Sequence, residues 1–413
     1  MLRLLTENIL DRKDEIMDEW RMIRLGNIIK TNQNAYSPKE NWKFVNYLDT
    51  GSITMNRIEE IQLINTDTDK LPSRARRKVK QNSIIYSTVR PNQLHYGIIK
   101  DQPHNFLVST GFTVIDVDNK NVVPEFIYYV LTQQDVTEHL QAIAEQSVSA
   151  YPSLKSSDIE NLMISLPDIE TQNRIVSILS VIDEKITQNI VINNNLLEQV
   201  LAIYRHRFVN TTNELRQICR ADEYFDISIG KTPPRKEPQW FSTNPKDVTW
   251  VSISDMGTCG LYISESSEQL TKEAVDRHNV KIVPDNTVLL SFKLTVGRIA
   301  ITDGEMTTNE AIAHFKTDKK EINEYLYCYL KCFNYQTMGS TSSIATAVNS
   351  KIIKGMPFIV PTNEEITEFH SLAAPMFAKI KANQAEIRNL TLLRDALLPK
   401  LMSGELDVSD IDL

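Results

Sequence analysis

From Glu170 to Phe208 the chain reads ETQNRIVSILSVIDEKITQNIVINNNLLEQVLAIYRHRF, with neither glycine nor proline. Apolar residues fall at Ile175, Leu179, Ile182, Ile186, Leu196, Val200 and Ile203. With Asn189 and Asn193 counted at the seam positions between Ile186 and Leu196, the steps alternate between three and four, the spacing of a coiled-coil seam. From Glu364 to Leu401 a second stretch, EEITEFHSLAAPMFAKIKANQAEIRNLTLLRDALLPKL, repeats the pattern at Phe369, Ala373, Met376, Ile380, Ile387, Leu390, Leu397 and Leu401. Each stretch reads as one long helix. Asn189 and Asn383 sit on the seam near the middle of their helices. In an antiparallel pair the two middles meet, and Asn facing Asn satisfies both amides and fixes the register. The expected pairing residues are Ile182, Ile186, Asn189 and Leu196 on the first helix, with Met376, Ile380, Asn383 and Leu390 on the second. Asn193 and Arg394 fit the seam poorly, so packing of each helix on its own domain alone stays open.

Working outward, the segments before the two helices also match. Ser83-Ile84-Ile85-Tyr86-Ser87 parallels Thr287-Val288-Leu289-Leu290-Ser291, each a β-rich run ending on serine with a cation soon after, Arg90 or Lys293. Pro124–Leu131 (PEFIYYVL) parallels Asn323–Leu330 (NEYLYCYL), and both read as helices. A small polar loop follows in each half, at Gln146–Ser149 and Ser340–Ser343, and then an apolar segment ending on Pro167 or Pro361. The chain is therefore one plan used twice, offset by roughly two hundred residues.

The fold expected is α+β: two similar globular domains joined by two long helices that form an antiparallel coiled coil, with a pseudo-two-fold internal repeat. The boundaries read as an N-terminal extension at 1–19, a first domain at 20–167 and a first spacer helix at 168–209. A second domain follows at 210–361, a second spacer helix at 362–403 and a tail at 404–413. Helices of ~40 residues would hold the domains ~55–60 Å apart. Two unlike heads on a rigid spacer suit duplex DNA, where each head reads one half-site.

Bulk properties agree. The 413 residues are 41% hydrophobic and 24% charged, which suits two or three soluble domains. No apolar run is long enough to span a bilayer, and the N-terminus turns acidic too soon for a signal peptide, so a cytoplasmic protein is expected. The net charge of -8 argues against a simple DNA-coating protein and suggests that a partner supplies part of the phosphate attraction. Cys219, Cys259, Cys328 and Cys332 lack zinc-knuckle spacing and read as buried thiols, with no metal site.

Several segments resemble the specificity (DNA-recognition) subunit of type I restriction-modification systems. They are Leu393–Leu406 (LRDALLPKLMSGEL), Ile229–Pro234 (IGKTPP) with Val248–Met256 (VTWVSISDM), and the helix starts Leu166–Gln172 (LPDIETQ) and Val360–Ile366 (VPTNEEI). The resemblance runs from about Trp20 to Leu406. It implies two target-recognition domains, each reading one half of a bipartite, asymmetric site. It also implies helices that set the spacer and dock two methyltransferase (modification) subunits, with motor-nuclease (restriction) subunits joining the complex. S-adenosylmethionine, ATP and Mg would be bound by those partners, and none by this chain. Two features depart from the pattern: the acidic amphipathic stretch 1–19, and Thr362–Ile366 where the family tends to carry Gln after the turn.

The absences fit a non-catalytic subunit. No Asn-Pro-Pro-Tyr-type tetrapeptide positions an adenine, no Gly-rich loop holds S-adenosylmethionine, and the histidines form no His-Glu-x-x-His pattern. Gly230-Lys231-Thr232 resembles the end of a phosphate-binding loop, but Phe225 replaces its first glycine and Pro233-Pro234 blocks the helix that should follow.

The strongest basic cluster is Arg74, Arg76, Arg77, Lys78 and Lys80, read as a loop because Pro72 and Ser73 open it. Lys231, Arg235 and Lys236 form the loop-like counterpart in the second half, with Arg90, Lys293 and Arg298 as weaker candidates. All suit phosphates or guanine edges; a solvated surface is the alternative, and the family resemblance favours DNA. The polar loops Ser147–Tyr151 and Ser340–Thr346 suit hydrogen bonds to DNA or helix caps. Trp42, Trp240 and Trp250 read as core. The competing functions are the specificity module of another multisubunit restriction system, a protein-interaction scaffold, and a stand-alone DNA-binding regulator.

Overall fold

The computed structural model describes residues 20–147, 151–211, 213–338 and 348–409. The expectations placed on 1–19, on Val148–Ala150 and on Ser340–Thr346 lie outside the described residues. The chain divides into two units, residues 1–184 with 390–413 and residues 185–389.

In unit 1 the elements run β1 (Arg21–Arg24), β2 (Ile29–Thr31), β3 (Phe44–Leu48), the hairpin β4 (Ile53–Thr54) and β5 (Arg57–Ile58), β6 (Gln62–Asn65), β7 (Ala75–Lys78), β8 (Ile84–Ser87), β9 (Tyr96–Ile98), β10 (Phe106–Ser109) and β11 (Phe112–Val117). The helices α1 (Pro124–Thr132), α2 (Gln134–Glu145) and α3 (Ser156–Glu160) follow, then β12 (Met163–Leu166) and the long helix α4 (Ile169–Tyr204), which belongs to unit 2 from Lys185 on. Two four-stranded sheets result, ordered β2-β11-β8-β9 and β6-β3-β10-β7. Every residue of β8 is buried. Ile84 and Tyr86 pack on Phe126 and Leu131 of α1, whereas Ile85 packs on Leu48 and Phe106 of the second sheet. A strand covered on both faces needs a continuous apolar run, which is why this one does not alternate.

Unit 2 rebuilds that scaffold. After a π turn (Arg205–Val209) come β13 (Gln217–Arg220), α5 (Ala221–Tyr224), β14 (Asp226–Ile229), β15 (Phe241–Ser242), β16 (Val248–Val251), α6 (Asp255–Thr258), β17 (Tyr262–Ile263), β18 (Glu268–Leu270) and α7 (Lys272–Arg277). The remainder is β19 (Val288–Ser291), β20 (Ile299–Thr302), β21 (Thr307–Thr308), β22 (Ile312–Lys316), α8 (Asn323–Cys332), α9 (Ser350–Lys354), β23 (Pro357–Val360) and the long helix α10 (Asn363–Met402), which belongs to unit 1 from Leu390 on. The sheet orders are β14-β22-β19-β20-β17 and β15-β18-β16-β21. Strands β14, β22, β19 and β20 repeat β2, β11, β8 and β9. Strand β16 is parallel to β21 as β3 is to β10. The units differ at the sheet edges: among the described residues, β7 has no counterpart in unit 2, and β15 and β17 have none in unit 1.

Each long helix starts on a cap. Asp168 Oδ1 accepts from Glu170 N at 2.8 Å and Thr171 N at 2.9 Å. Thr362 and Glu365 form a reciprocal capping box. Gln172 is fully buried, donates to Pro167 O at 2.9 Å and accepts from Val123 N at 2.9 Å. Its counterpart Ile366 is apolar and buried, so the departure noted at Thr362–Ile366 exchanges a polar anchor for core. Pro375 and Pro399 lie inside α10 and do not end it. Pro375 is exposed, so the carbonyl it frees can turn to water.

The long helices pair antiparallel within each unit. In unit 1, Ile175 and Leu179 share a core with Leu398, Leu401 and Met402. Arg394, the poor seam residue, pairs with Asp183 at 3.0 Å, and Tyr129 Oη donates to the same carboxylate at 2.9 Å. The chain then turns at Gly404 (φ +68°), and Val408 folds back into the unit 1 core. In unit 2, Val200, Tyr204 and Phe208 pack on Phe369, Ala373 and Ile380, with Leu196 and Met376 partly buried against them. Asn189 and Asn383 are buried but do not face each other. Asn189 Nδ2 donates to Glu386 Oε2 at 2.9 Å, and Asn383 Nδ2 donates to Asn193 Oδ1 at 2.8 Å. The register places the midpoint of the pairing between Asn189 and Asn193, about one turn apart, so the equivalent asparagines occupy two neighbouring layers. Asn193, which had looked like a seam fault, is the partner that Asn383 uses.

Candidate nucleic-acid interface

In unit 1 the candidate cations gather where β8 ends and β11 begins. Ser87 Oγ donates to Val89 O at 3.0 Å and fixes the exit of β8, and Thr88 N donates to Gly111 O at 2.8 Å. The next residue but one is Arg90, exposed, with its guanidinium 5.1 Å from the Tyr151 ring centroid. Arg74 reaches the same end of the sheet: its carbonyl accepts from Thr110 N at 2.8 Å and its side chain is exposed.

The basic cluster expected as a loop is mostly a strand. Ala75–Lys78 form β7 at the edge of the second sheet, where Ala75 is fully buried and anchors it. A basic edge is one way to keep a strand from recruiting another chain. Its outer side is also covered, because Tyr36 N donates to Arg76 O at 2.7 Å and Lys78 N donates to Asn34 O at 3.0 Å. The ladder with β10 pairs Arg77 with Val108 and Ala75 with Ser109, leaving Arg76 as the extra residue of a β-bulge. The five side chains of the cluster are not equivalent. Arg74 and Arg76 have no ion pair among the described residues. Arg77 Nε is buried without a hydrogen-bond partner. Lys78 is held by Glu40 and sits 5.0 Å over the Trp42 ring, and Lys80 lies 3.7 Å from Asp116.

In unit 2 the corresponding sheet end again collects cations. Lys231 follows β14 and donates from Nζ to His278 O at 2.6 Å. Arg235 lies 4.1 Å over Phe241 and 4.7 Å over Trp250, with two hydrogen bonds to Glu268 at 2.9 and 2.8 Å. Lys236 is exposed beside it, and Lys293 is exposed just past β19. Glu310, hydrogen-bonded to Thr232, lies among them. Burial pushes its carboxyl up, but the Thr232 hydroxyl, its own backbone N–H and the Lys293 and Arg235 charges outweigh that and hold it below the usual range. Arg298 points elsewhere: Nη1 donates to Ile253 O at 2.6 Å and the side chain is half-buried. Beneath the face, His314 bridges Ser228 and Thr308, and burial pushes its pKa down to about 3, so it is neutral. Trp240 and Trp250 are buried, and Trp42 is half-buried against Tyr36. The cysteines are unpaired thiols, Cys328 buried and the other three half-buried.

The structure thus brings Arg74 with Arg90, and Lys231, Arg235 and Lys293 with one another, each set at the same end of its sheet. Glu310 and Thr232 were not foreseen. They lie far apart in sequence and meet only through the β14–β22 pairing, so no local signal marked them. Among the described residues no group of three or more potential metal ligands occurs, and no helix is long and apolar enough to cross a membrane.

One α+β scaffold is used twice in the chain, each copy with cations at one sheet end and each followed by a long helix. The sequence profile of the type I restriction modification DNA specificity domain matches residues 17–199 and again residues 214–385, and the chain belongs to that family. It is 24% identical to the HindI type I restriction enzyme specificity subunit of Haemophilus influenzae, over 94% of this chain and 100% of that protein. It is 27% identical to the MjaIX specificity subunit of Methanocaldococcus jannaschii, over 73% of each. The crystal structure of a type I restriction-modification S subunit from M. genitalium shares the fold with a TM-score of 0.52, at 16% identity, over 92% of this chain and 96% of that one.

Proposed function

We propose that this chain is the DNA-reading specificity subunit of a type I restriction-modification enzyme and that each unit reads one half of a bipartite, asymmetric site. The observation that carries this reading is the pair of matched scaffolds with unlike faces. The sheet end is the same in both, but unit 1 presents Arg74 and Arg90 beside the basic strand β7, which has no counterpart among the described residues of unit 2, whereas unit 2 presents Lys231, Lys236 and Lys293. Equal scaffolds suit equivalent placement on a duplex, and unlike side chains suit unlike half-sites.

The long helices set the gap and dock two methyltransferase subunits. Exposed apolar side chains on them support docking: Val181, Leu392 and Leu393 in unit 1, Val191 in unit 2. The chain itself is non-catalytic. Methyl transfer from S-adenosylmethionine to adenine, and ATP- and Mg-dependent motor-nuclease work, belong to partner subunits. Co-expression with the cognate methyltransferase tests this reading. The tagged chain is expected to retain two methyltransferase copies and to methylate DNA only in their presence. Methylation by the partner-free chain, or recovery of the chain alone, counts against it.

A further inference from the structure

The loop after β19 carries Leu294 at its tip. The side chain is 99% exposed and the residue has φ +60°, a region that bulky side chains avoid. Thr295 N donates to Lys293 O at 2.6 Å, closing a three-residue turn around Leu294. The base of the loop is fixed: Ser291 Oγ donates to Thr295 O at 2.6 Å and accepts from Arg298 N at 3.0 Å. Leucine gains nothing from the rest of the protein here. It buries no surface, and glycine or asparagine fits the turn with less strain.

The equivalent residue of unit 1 shows the same device with different chemistry. Phe292 N donates to Ala311 O as Thr88 N donates to Gly111 O, which aligns the two loops. Two residues on, Leu294 corresponds to Arg90, also left-handed at φ +49° and also exposed. One backbone presents a cation on one unit and a branched apolar group on the other.

We propose that Leu294 is a specificity residue that packs against base surface in the half-site read by unit 2, for instance a thymine methyl, while Lys293 beside it takes a phosphate. This rests on the reading of that face as a DNA interface. Phosphates offer a leucine no contact, but base edges and methyl groups do. A protein interface would need an apolar patch rather than one leucine beside the exposed Lys293.

The test uses the full chain assembled with its methyltransferase and two duplexes, one carrying the methylation site mapped for that complex and one lacking it. Leu294→Ala is expected to weaken binding to the site duplex about tenfold or more, since a leucine side chain leaves a buried position, with the salt slope unchanged. Leu294→Met should keep most of the affinity. Lys293→Ala should instead lower the salt slope by about one on both duplexes. Unchanged affinity in Leu294→Ala with a reduced slope in Lys293→Ala overturns the inference and leaves the DNA face standing. Unchanged binding in both overturns the face as well. Equal losses on both duplexes, or loss of the methyltransferase, assign Leu294 to the DNA backbone or to a protein contact and also overturn it.

Discussion

Four neighbouring cations in unit 1 should behave differently when each is replaced by alanine. Arg74 is exposed, and Arg76, half-buried on the bulge of β7, has like Arg74 no ion pair among the described residues, so neither charge is committed to a neighbouring carboxylate. Lys78 is committed to Glu40 and Trp42, and Arg77 buries its Nε. Each phosphate contact contributes ~0.9 to the slope of log affinity against log salt. Raising salt from ~50 to ~200 mM therefore costs about 3.5-fold per contact, and Arg74→Ala with Arg76→Ala should remove about 12-fold of that salt sensitivity. Lys78→Ala should leave the slope unchanged. Arg77→Ala should alter stability more than slope, because it removes a half-buried side chain. The assay is equilibrium binding of a labelled duplex to the assembled enzyme at several salt concentrations, with thermal unfolding of each variant alongside. If Arg74→Ala and Arg76→Ala keep the wild-type slope while Lys78→Ala reduces it, the assignment of these side chains is wrong.

The ion pair between the helices of unit 1 gives a stability prediction. Asp183→Ala leaves Arg394, only 15% exposed, with Asp395 alone. Breaking a well-buried pair costs ~3–5 kcal/mol, and partial exposure reduces this to about 2 kcal/mol, read as a fall in Tm of roughly 4–8 °C; an unchanged Tm would show the pair to be idle. Glu365 gives a pH prediction. Burial pushes its carboxyl up, but hydrogen bonds from Arg216, Asn213 and Thr362 N and the Arg216 charge bring it down to about 2. Its stabilisation is therefore present above its ordinary value of 4.5 and is lost as pH falls from there toward about 2. Glu365→Gln should flatten acid denaturation of unit 2 over that window, and an unaltered acid profile would contradict it. Four residues inserted into each long helix near Asn189 and Asn383 add ~6 Å. Methylation mapping of that variant should show the same half-sites with a gap longer by about one or two base pairs; an active variant with the original gap would show that the helices are not the ruler.

The repeat and the long helices were legible because periodicity is local. Steps of three and four residues, and a serine-ended run such as Ile84–Ser87, need no knowledge of partners. The register was not legible. Asn189 and Asn383 are equivalent by the repeat, yet which layer each occupies depends on the helix register, which brings Asn189 to Glu386 and Asn383 to Asn193. Arg394 looked like a fault for a related reason, since its partner Asp183 lies on the other helix. The basic run Arg74–Lys78 was misread because Pro72 and Ser73 signalled a turn, whereas Ala75 and pairing with β10 decided for a strand. Leu294 was hidden because Phe292-Lys293-Leu294 reads as ordinary alternation, and only the turn around it turns the side chain out.

The most direct test is a methylation map of cells that carry this chain with its methyltransferase and no other such system. The account expects adenine methylation at one bipartite motif, with two unlike half-sites separated by a fixed gap of unspecified bases. It also expects exchange of residues 20–167 for another such domain to change one half-site alone. A continuous or palindromic motif, or a change in both half-sites on that exchange, would contradict the claim that two units read two half-sites independently.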